Sequence, residues 1–225
     1  KRRTLQIERT LGDDGAGIQS EYLVGAVANE LSFNIAQADK ITTDLTFVAL
    51  DNEQRTGATG VKSGTRPTLL SGSAFNTSSD ISRIKLSLVS ATDPAPTPLF
   101  AFATELKLDI KNNVSPNKAV SVLGAFDTST GTFEVGGSIT AYFASVTAAQ
   151  AVRNNSDVTV DITLLKKNGA IVIDIPLLSL GDGRLSVEQD QPITIPLETM
   201  AAESKFGNTL LLNFFNYLPD VAGGV

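Results

Sequence analysis

Alternating polar and apolar residues predict most of the secondary structure of this chain. The clearest case is the segment 105–111, in which three apolar residues alternate with four charged ones. Successive side chains of a strand point to opposite faces, so this pattern predicts a strand with one buried and one solvated face. A second alternating segment, 133–143, follows a turn that ends at Gly131. We expect the two segments to form an antiparallel pair.

The same alternation predicts further strands on both sides of this pair. They are the segments 29–36, 42–50, 84–88, 158–164, 171–175, 193–197 and 210–214. The dipeptide Asn168-Gly169 predicts a hairpin with a type I′ turn, because both central residues of that turn need positive φ. One helix is predicted from Val146 to about Asn154, with Ser145 as its N-terminal cap. The chain is therefore predicted to be mainly β, an antiparallel sandwich or barrel with one short flanking helix.

No internal repeat or shift in composition divides the sequence, so a single β domain over residues 1–225 is predicted. Three segments are expected to lie outside its regular strands: an N-terminal arm (1–22), a long loop (51–80) and a C-terminal tail (217–225). The loop is polar and rich in Gly, Ser and Thr. Loops of this length inside a compact domain are usually functional or are ordered by a partner.

The composition removes several classes of function. The 225 residues include no Cys, His or Trp, which excludes a thiol nucleophile, a Ser-His pair, imidazole metal ligands and disulfides. Two acidic pairs, Glu105 with Asp109 and Asp157 with Asp161, have i, i+4 spacing on predicted strands. That spacing places them roughly 13 Å apart, too far for the carboxylate pair of a glycosidase. We expect no enzymatic activity and no cofactor or metal.

The charge balance also limits the partners. The chain has 18 Lys and Arg against 24 Asp and Glu, a net charge of −6, which disfavours a tight grip on nucleic acid. No apolar run approaches the ~20 residues of a membrane span, so no membrane contact is expected.

A series of landmarks in the central segment resembles a known family. A strand ends at Asn112-Asn113, Pro116 and Gly124 follow, a turn runs from Asp127 to Gly131, and the next strand closes on Thr140-Ala141-Tyr142-Phe143. Upstream, Gly25–Phe33 and Ile41–Val48 add two strands with a short connection. This order is similar to that of the major tail tube proteins of long-tailed, siphovirus-like bacteriophages. The resemblance covers roughly residues 22–215.

The resemblance implies a structural virion protein that forms hexameric rings. The rings would stack helically into the tail tube, a conduit through which DNA passes transiently and without sequence specificity as the genome is ejected into the host. The implied partners are further copies of the chain and the tape measure, tail terminator and tail tip proteins. The implied location is the tail of the virion, after assembly in the host cytoplasm.

Within that framework, the acidic composition suggests the lining of the tube. A bore lined with cations would hold DNA through charge-assisted contacts, whereas an acidic bore lets it slide. We expect the polar strand faces to line the bore, with Glu30, Asp44, Glu105, Asp109 and Glu134 as its acids. Outward-facing positions remain an alternative for each of them, and Lys107 and Lys111 make one face mixed in charge. The long loop is expected to contact the next ring through Arg55, Lys62 and Arg66, with further contacts from the arm and the tail.

Two other functions remain open from the sequence. One is the tube of a contractile injection system, which differs by its need for a sheath partner. The other is a monomeric carbohydrate-binding sandwich of a virion or cell surface. Such modules usually present aromatic platforms, whereas this chain lacks Trp and places most of its Phe and Tyr at predicted core positions.

Overall fold

The computed structural model of the protein describes residues 3–69, 72, 74–89, 96–100, 102–143, 145–166 and 169–215. Within these ranges the chain is mainly β, with antiparallel pairing and one α-helix. The strands are β1 (Leu5–Asp13), β2 (Ile18–Ala36), β3 (Thr42–Val48), β4 (Asp51–Arg55), β5 (Ile81–Leu88), β6 (Thr97–Pro98), β7 (Ala103–Lys111), β8 (Val114–Asn117), β9 (Asp127–Thr130), β10 (Glu134–Tyr142), β11 (Val158–Lys166), β12 (Gly169–Asp182), β13 (Thr194–Ala201) and β14 (Leu211–Phe215). The helices are a 3₁₀ turn (Gly57–Thr59) and α1 (Val146–Arg153).

The predicted fold class is confirmed. The strands pair as in an antiparallel β-sandwich, and α1 is the single α-helix of the described residues. The strand order does not close into a barrel in the part of the chain that the structure describes. No helix within the described ranges has the length and apolar character needed to cross a membrane.

The chain divides into two compact units. Unit 1 comprises Lys1–Leu31, Asp44–Gly72 and Lys111–Phe133, and unit 2 comprises Ser32–Thr43, Ser73–Ile110 and Glu134–Val225. The single-domain interpretation of residues 1–225 stays a prediction.

The core of unit 2 is built from β7, β10, β13, β12, β11, β5 and β6, in that order across the sheet. Strand β12 is the longest of these: its residues 170–174 pair with β14 and its residues 178–182 pair with β13, while β11 covers the other edge. The side chains that alternate inward along β11, β12 and β13 are almost fully buried. They are Ile162, Leu164, Ile173, Ile175, Leu178, Ile195 and Leu197. The predicted hairpin is confirmed by the β11–β12 pairing, and its proposed turn residue Asn168 lies outside the described residues.

Helix α1 begins and ends close to its predicted bounds, and Ser145 occupies its N-cap position without a capping hydrogen bond. Ser145 has the extended backbone of an N-cap residue and makes no capping hydrogen bond with its side chain. The helix is held instead by burial of Ala148 and Ala151, both at most 3% exposed. Gly183, with φ of 68°, leaves space for Val152 of the helix, since a Cβ there would lie 2.8 Å from Val152 Cγ1.

Strands β7 and β10 confirm the segments predicted around residues 105–111 and 133–143, and they are neighbours in the sheet. Their backbones approach closely at Gly137, whose φ is 151°. A Cβ at this position would overlap the carbonyl oxygen of Lys107 and lie 2.8 Å from its carbonyl carbon. Phe133, the first residue of the predicted segment, precedes the strand and is 49% exposed.

Unit 1 is organised around the first half of β2, which pairs with β1 on one edge and with β4 on the other. Strand β4 occupies the start of the segment 51–80, so the prediction of a loop from residue 51 onward is wrong for Asp51–Arg55. The short antiparallel pair β8–β9 completes the unit. It is joined to β2 at Asn29, whose backbone oxygen accepts from Asn112 N–H (2.8 Å) and whose Oδ1 accepts from Val114 N–H (2.7 Å).

Candidate assembly surfaces

The three basic residues predicted to contact the next ring lie in unit 1, and each is paired within its own chain. The Nε of Arg55 lies 2.8 Å from Glu53 Oε1, and its Nη1 donates to the carbonyl oxygen of Thr59 (3.1 Å). The ammonium of Lys62 contacts the other carboxylate oxygen of Glu53. Glu53 therefore brings Arg55 and Lys62 together.

Arg66 forms a separate, bidentate contact with Glu8 of strand β1. Its Nε lies 2.7 Å from Glu8 Oε2 and its Nη2 lies 2.8 Å from Glu8 Oε1. This parallel arrangement matches the planar guanidinium to the planar carboxylate. Arg66 Nη2 also donates to the carbonyl oxygen of Lys62 (3.1 Å). The contact attaches the segment 62–66 to β1.

Tyr22 of β2 connects the two contacts. Its side chain is buried, its hydroxyl donates to Glu8 Oε1 (3.0 Å), and the same hydroxyl accepts from the backbone N–H of Lys62 (2.8 Å). The Lys62 ammonium lies 4.7 Å from the centre of the Tyr22 ring, within the range of a cation–π contact. Residues 62–66 and Gln6 complete a shallow cleft of about 240 Å³ above this ring.

A second anchor holds the start of the same segment. The buried hydroxyl of Ser20 donates to the carbonyl oxygen of Gly60. Gly60 packs directly on β2, because a Cβ there would lie 2.9 Å from the carbonyl carbon of Ile18. The segment 56–66, which contains no strand, is thus fixed to β1 and β2 at both ends.

The carboxylates of this network are stabilised in their charged form. Hydrogen bonds from Arg66 lower the pKa of Glu8, against the effect of burial, and Tyr22 adds to the lowering. Hydrogen bonds from Lys62 and then from Arg55 lower the pKa of Glu53 in the same way. Both carboxylates are therefore ionised at neutral pH.

Sequence reasoning identified the three basic residues and missed Glu8, Tyr22 and Glu53. Glu8 and Arg66 are 58 positions apart, and Tyr22 and Lys62 are 40 apart. The one available signal was the short alternation at Leu5-Gln6-Ile7, which is compatible with a strand beside Glu8.

The five acids predicted to line a bore are divided between the two units. Asp44 lies on the exposed β3 and belongs to unit 1 with Glu30, whose Oε1 is 3.4 Å from Lys111 Nζ. Glu105, Asp109 and Glu134 belong to unit 2. Because lysines neutralise some of them, the predicted lining is mixed in charge.

The outer face of β7 shows this mixture directly. Glu105 and Lys107 are exposed, and Lys107 Nζ lies 3.2 Å from Asp109 Oδ2. Asp109 also accepts from the Ser32 hydroxyl at 2.5 Å. Glu105 on β7 and Glu134 at the start of β10 are both exposed, and neither forms an ion pair with the residues that the structure describes.

The remaining acidic pair considered for catalysis is part of a structural contact. The guanidinium of Arg83 forms a bidentate contact with Asp161, with Nε 3.0 Å from Oδ1 and Nη2 2.5 Å from Oδ2. Asp174 lies opposite Asp161 on the next strand, and burial, followed by the charge of Asp161, raises the pKa of Asp174. No group of three or more Asp or Glu residues in the described ranges is placed to hold a metal ion.

Comparison with known proteins places this architecture in a family. A search of curated proteins found no match. A family model described as phage tail tube protein matches residues 2–201, which is most of the chain. The chain therefore belongs to the phage tail tube protein family, whose members are structural components of the phage tail and not enzymes.

Proposed function

We propose that this chain assembles into hexameric rings, that the rings stack into the tube of a phage tail, and that the genome passes through the tube into the host. The observation that carries the proposal is the family match over residues 2–201. The family implies self-assembly into a tube. The tape measure, tail terminator and tail tip proteins are the partners proposed for its bore and its two ends, and the host cytoplasm is the proposed place of assembly.

The charge of the strand faces supports passage of DNA. The outer face of β7 carries two acids and two lysines, so its charges balance. Glu134 at the start of β10 is exposed and forms no ion pair with the described residues, so it adds net negative charge. A surface of this kind offers few fixed cations to phosphate groups, so DNA that touches it releases few counterions and is held weakly. We propose that Glu30, Asp44, Glu105, Asp109 and Glu134 contribute to this lining.

The segment 51–80, which includes the anchored segment 56–66, is the proposed contact between rings. Arg55, Lys62 and Arg66 fix its shape through Glu53 and Glu8. A preformed segment loses less conformational entropy on docking than a free loop would, which favours stacking. The basic residues then act as an internal frame for the contact surface, with their outer atoms available to the neighbouring ring.

The proposed bore is tested with charge variants of assembled tubes. Glu134→Lys and Glu105→Lys would place cations on the lining, whereas Glu134→Gln only removes a charge. We expect short double-stranded DNA to co-sediment with Lys-variant tubes at low salt, to be released as salt rises, and to leave wild-type and Gln-variant tubes unbound. Equal DNA retention by all tubes would contradict the proposed lining.

The ring number is tested separately by native mass spectrometry of briefly dissociated tubes. A dominant species of six subunits supports the hexamer. A dominant species of any other number would contradict it.

A further inference from the structure

The connection between β8 and β9 exposes an unusual concentration of apolar side chains. Its residues 118–126, here called the apolar tip, include Val120 (96% exposed), Leu123 (90%), Phe126 (60%) and Val122 (45%). Lys118 is the only charged residue among the nine. Single exposed apolar residues are ordinary, but a contiguous patch marks an interaction site.

The tip is held in a defined position. The N–H of Phe126 donates to the carbonyl oxygen of Asn117 (3.0 Å), which closes the hairpin. The N–H of Ala125 donates to the carbonyl oxygen of Leu50 (2.8 Å), and Ala125 itself is buried. Gly124, with φ of 77°, allows this approach, since a Cβ there would lie 2.7 Å from the Leu50 oxygen. The outer apolar residues are therefore presented on a fixed base.

We propose that the apolar tip docks against a second copy of this chain in the assembled tube. The inference rests on the self-assembly set out under Proposed function. In a tube built from one kind of subunit, every subunit contacts other copies of the same chain. A tip that fits a different surface of its neighbour makes a head-to-tail contact, and such contacts repeat into closed rings or open stacks.

The chemistry of the tip disfavours DNA as its occupant. Phosphate recognition needs several cationic or amide donors, and this tip offers one lysine at its edge. An apolar surface on the neighbouring copy would bury all four exposed side chains. Burial of such side chains is the main driving force of most protein association.

The first test compares aspartate variants at two exposed valines. Val120→Asp changes the tip, and Val187→Asp changes an exposed valine (68%) of unit 2 as the matched control. Both side chains are largely exposed, so circular dichroism melts of the monomers are expected to coincide. The measured quantity is the critical protein concentration for tube formation, obtained by sedimentation.

We expect the tip variant to raise the critical concentration at least tenfold and the control to change it less than twofold. If wild-type tubes form and the tip variant assembles at the same concentration, the docking inference is overturned while the proposed function stands. If the wild-type protein stays monomeric at every concentration, both fail.

A second measurement identifies the contact. A photo-reactive benzoylphenylalanine replaces Val120, and assembled tubes are irradiated. We expect covalent dimers from tubes and none from dilute monomer, with mass spectrometry locating the linked surface. Tubes that give no dimer would overturn the inference, because the purified sample contains only copies of this chain.

Discussion

Removing the hydroxyl of Tyr22 is the most specific test of the anchored segment. Tyr22→Phe deletes one oxygen and leaves the buried ring in place. The lost atom donates to Glu8 and accepts from the backbone N–H of Lys62. The segment 62–66 would then keep its ion pairs and lose the bond that fixes its backbone to β2.

The magnitude follows from the bond to Lys62. A neutral hydrogen bond contributes about 0.5–1.5 kcal/mol net, and tenfold in an equilibrium constant corresponds to about 1.4 kcal/mol. Loss of this bond should therefore increase the population of the detached segment about twofold to tenfold. Glu8 keeps both of its contacts with Arg66, so we expect loss of the hydrogen bond from Tyr22 to Glu8 to change this population no further.

Limited proteolysis measures this population. Trypsin cleaves after Lys62 only when the segment detaches, and the cleavage rate follows the open population when reclosure is fast. Tyr142→Phe is the matched control, because Tyr142 is 36% exposed and its hydroxyl has no hydrogen-bond partner among the described residues. We expect faster cleavage after Lys62 in Tyr22→Phe alone. Equal rates in the wild type and both variants would refute the role of the hydroxyl.

Two further predictions concern the sheet of unit 2. Gly137→Ala forces a side chain into a left-handed position against a neighbouring backbone, so we expect a loss of about 3 kcal/mol and a melting temperature lower by roughly 6–12 °C. Gly181→Ala, where the new Cβ would lie 3.6 Å from its nearest neighbour, should leave the melting temperature nearly unchanged, and equal melting of the two variants would disprove the close approach. The pKa of Asp174 is raised in the folded protein, so between the unfolded and the folded pKa the folded protein keeps a proton that the unfolded chain releases, and stability falls as pH rises through this range. Asp174→Asn removes this loss. Its melting temperature should therefore be higher than that of the wild type at neutral pH and little changed near pH 3. A lower melting temperature of Asp174→Asn at neutral pH would contradict this sign.

The regular strands could be predicted because their alternation is a local property. Strand β7 shows it in seven consecutive residues, and β11 and β12 show it on both sides of their turn. The helix α1 could also be predicted, because its alanines have high helix propensity. In each case the pattern that fixes the structure lies within the element itself.

Strand β2 was predicted too short, as residues 29–36, whereas it spans Ile18–Ala36. In the structure Gly25 has φ of 66° and the strand continues through it. A Cβ at this position would lie 2.6 Å from the Leu50 side chain, so the glycine makes room for a packed residue. Strand β4 was missed because Asp51–Arg55 is entirely polar and is held by pairing with β2.

The contacts of the candidate surfaces could not be predicted for a related reason. Arg66 meets Glu8 only because β1 pairs with β2 and the segment 56–66 folds back across them. Nothing in the local sequence specifies which acid each base will meet. The exposure of the apolar tip could not be predicted either, because its valines and its leucine have the same sequence pattern as the residues of a buried strand.

The central claim, that this chain builds a tube from copies of itself, is tested most directly by negative-stain electron microscopy of the purified protein over a range of concentrations. We predict rings and hollow stacked tubes with six-fold end views above a critical concentration. Monomers at every concentration would contradict the claim.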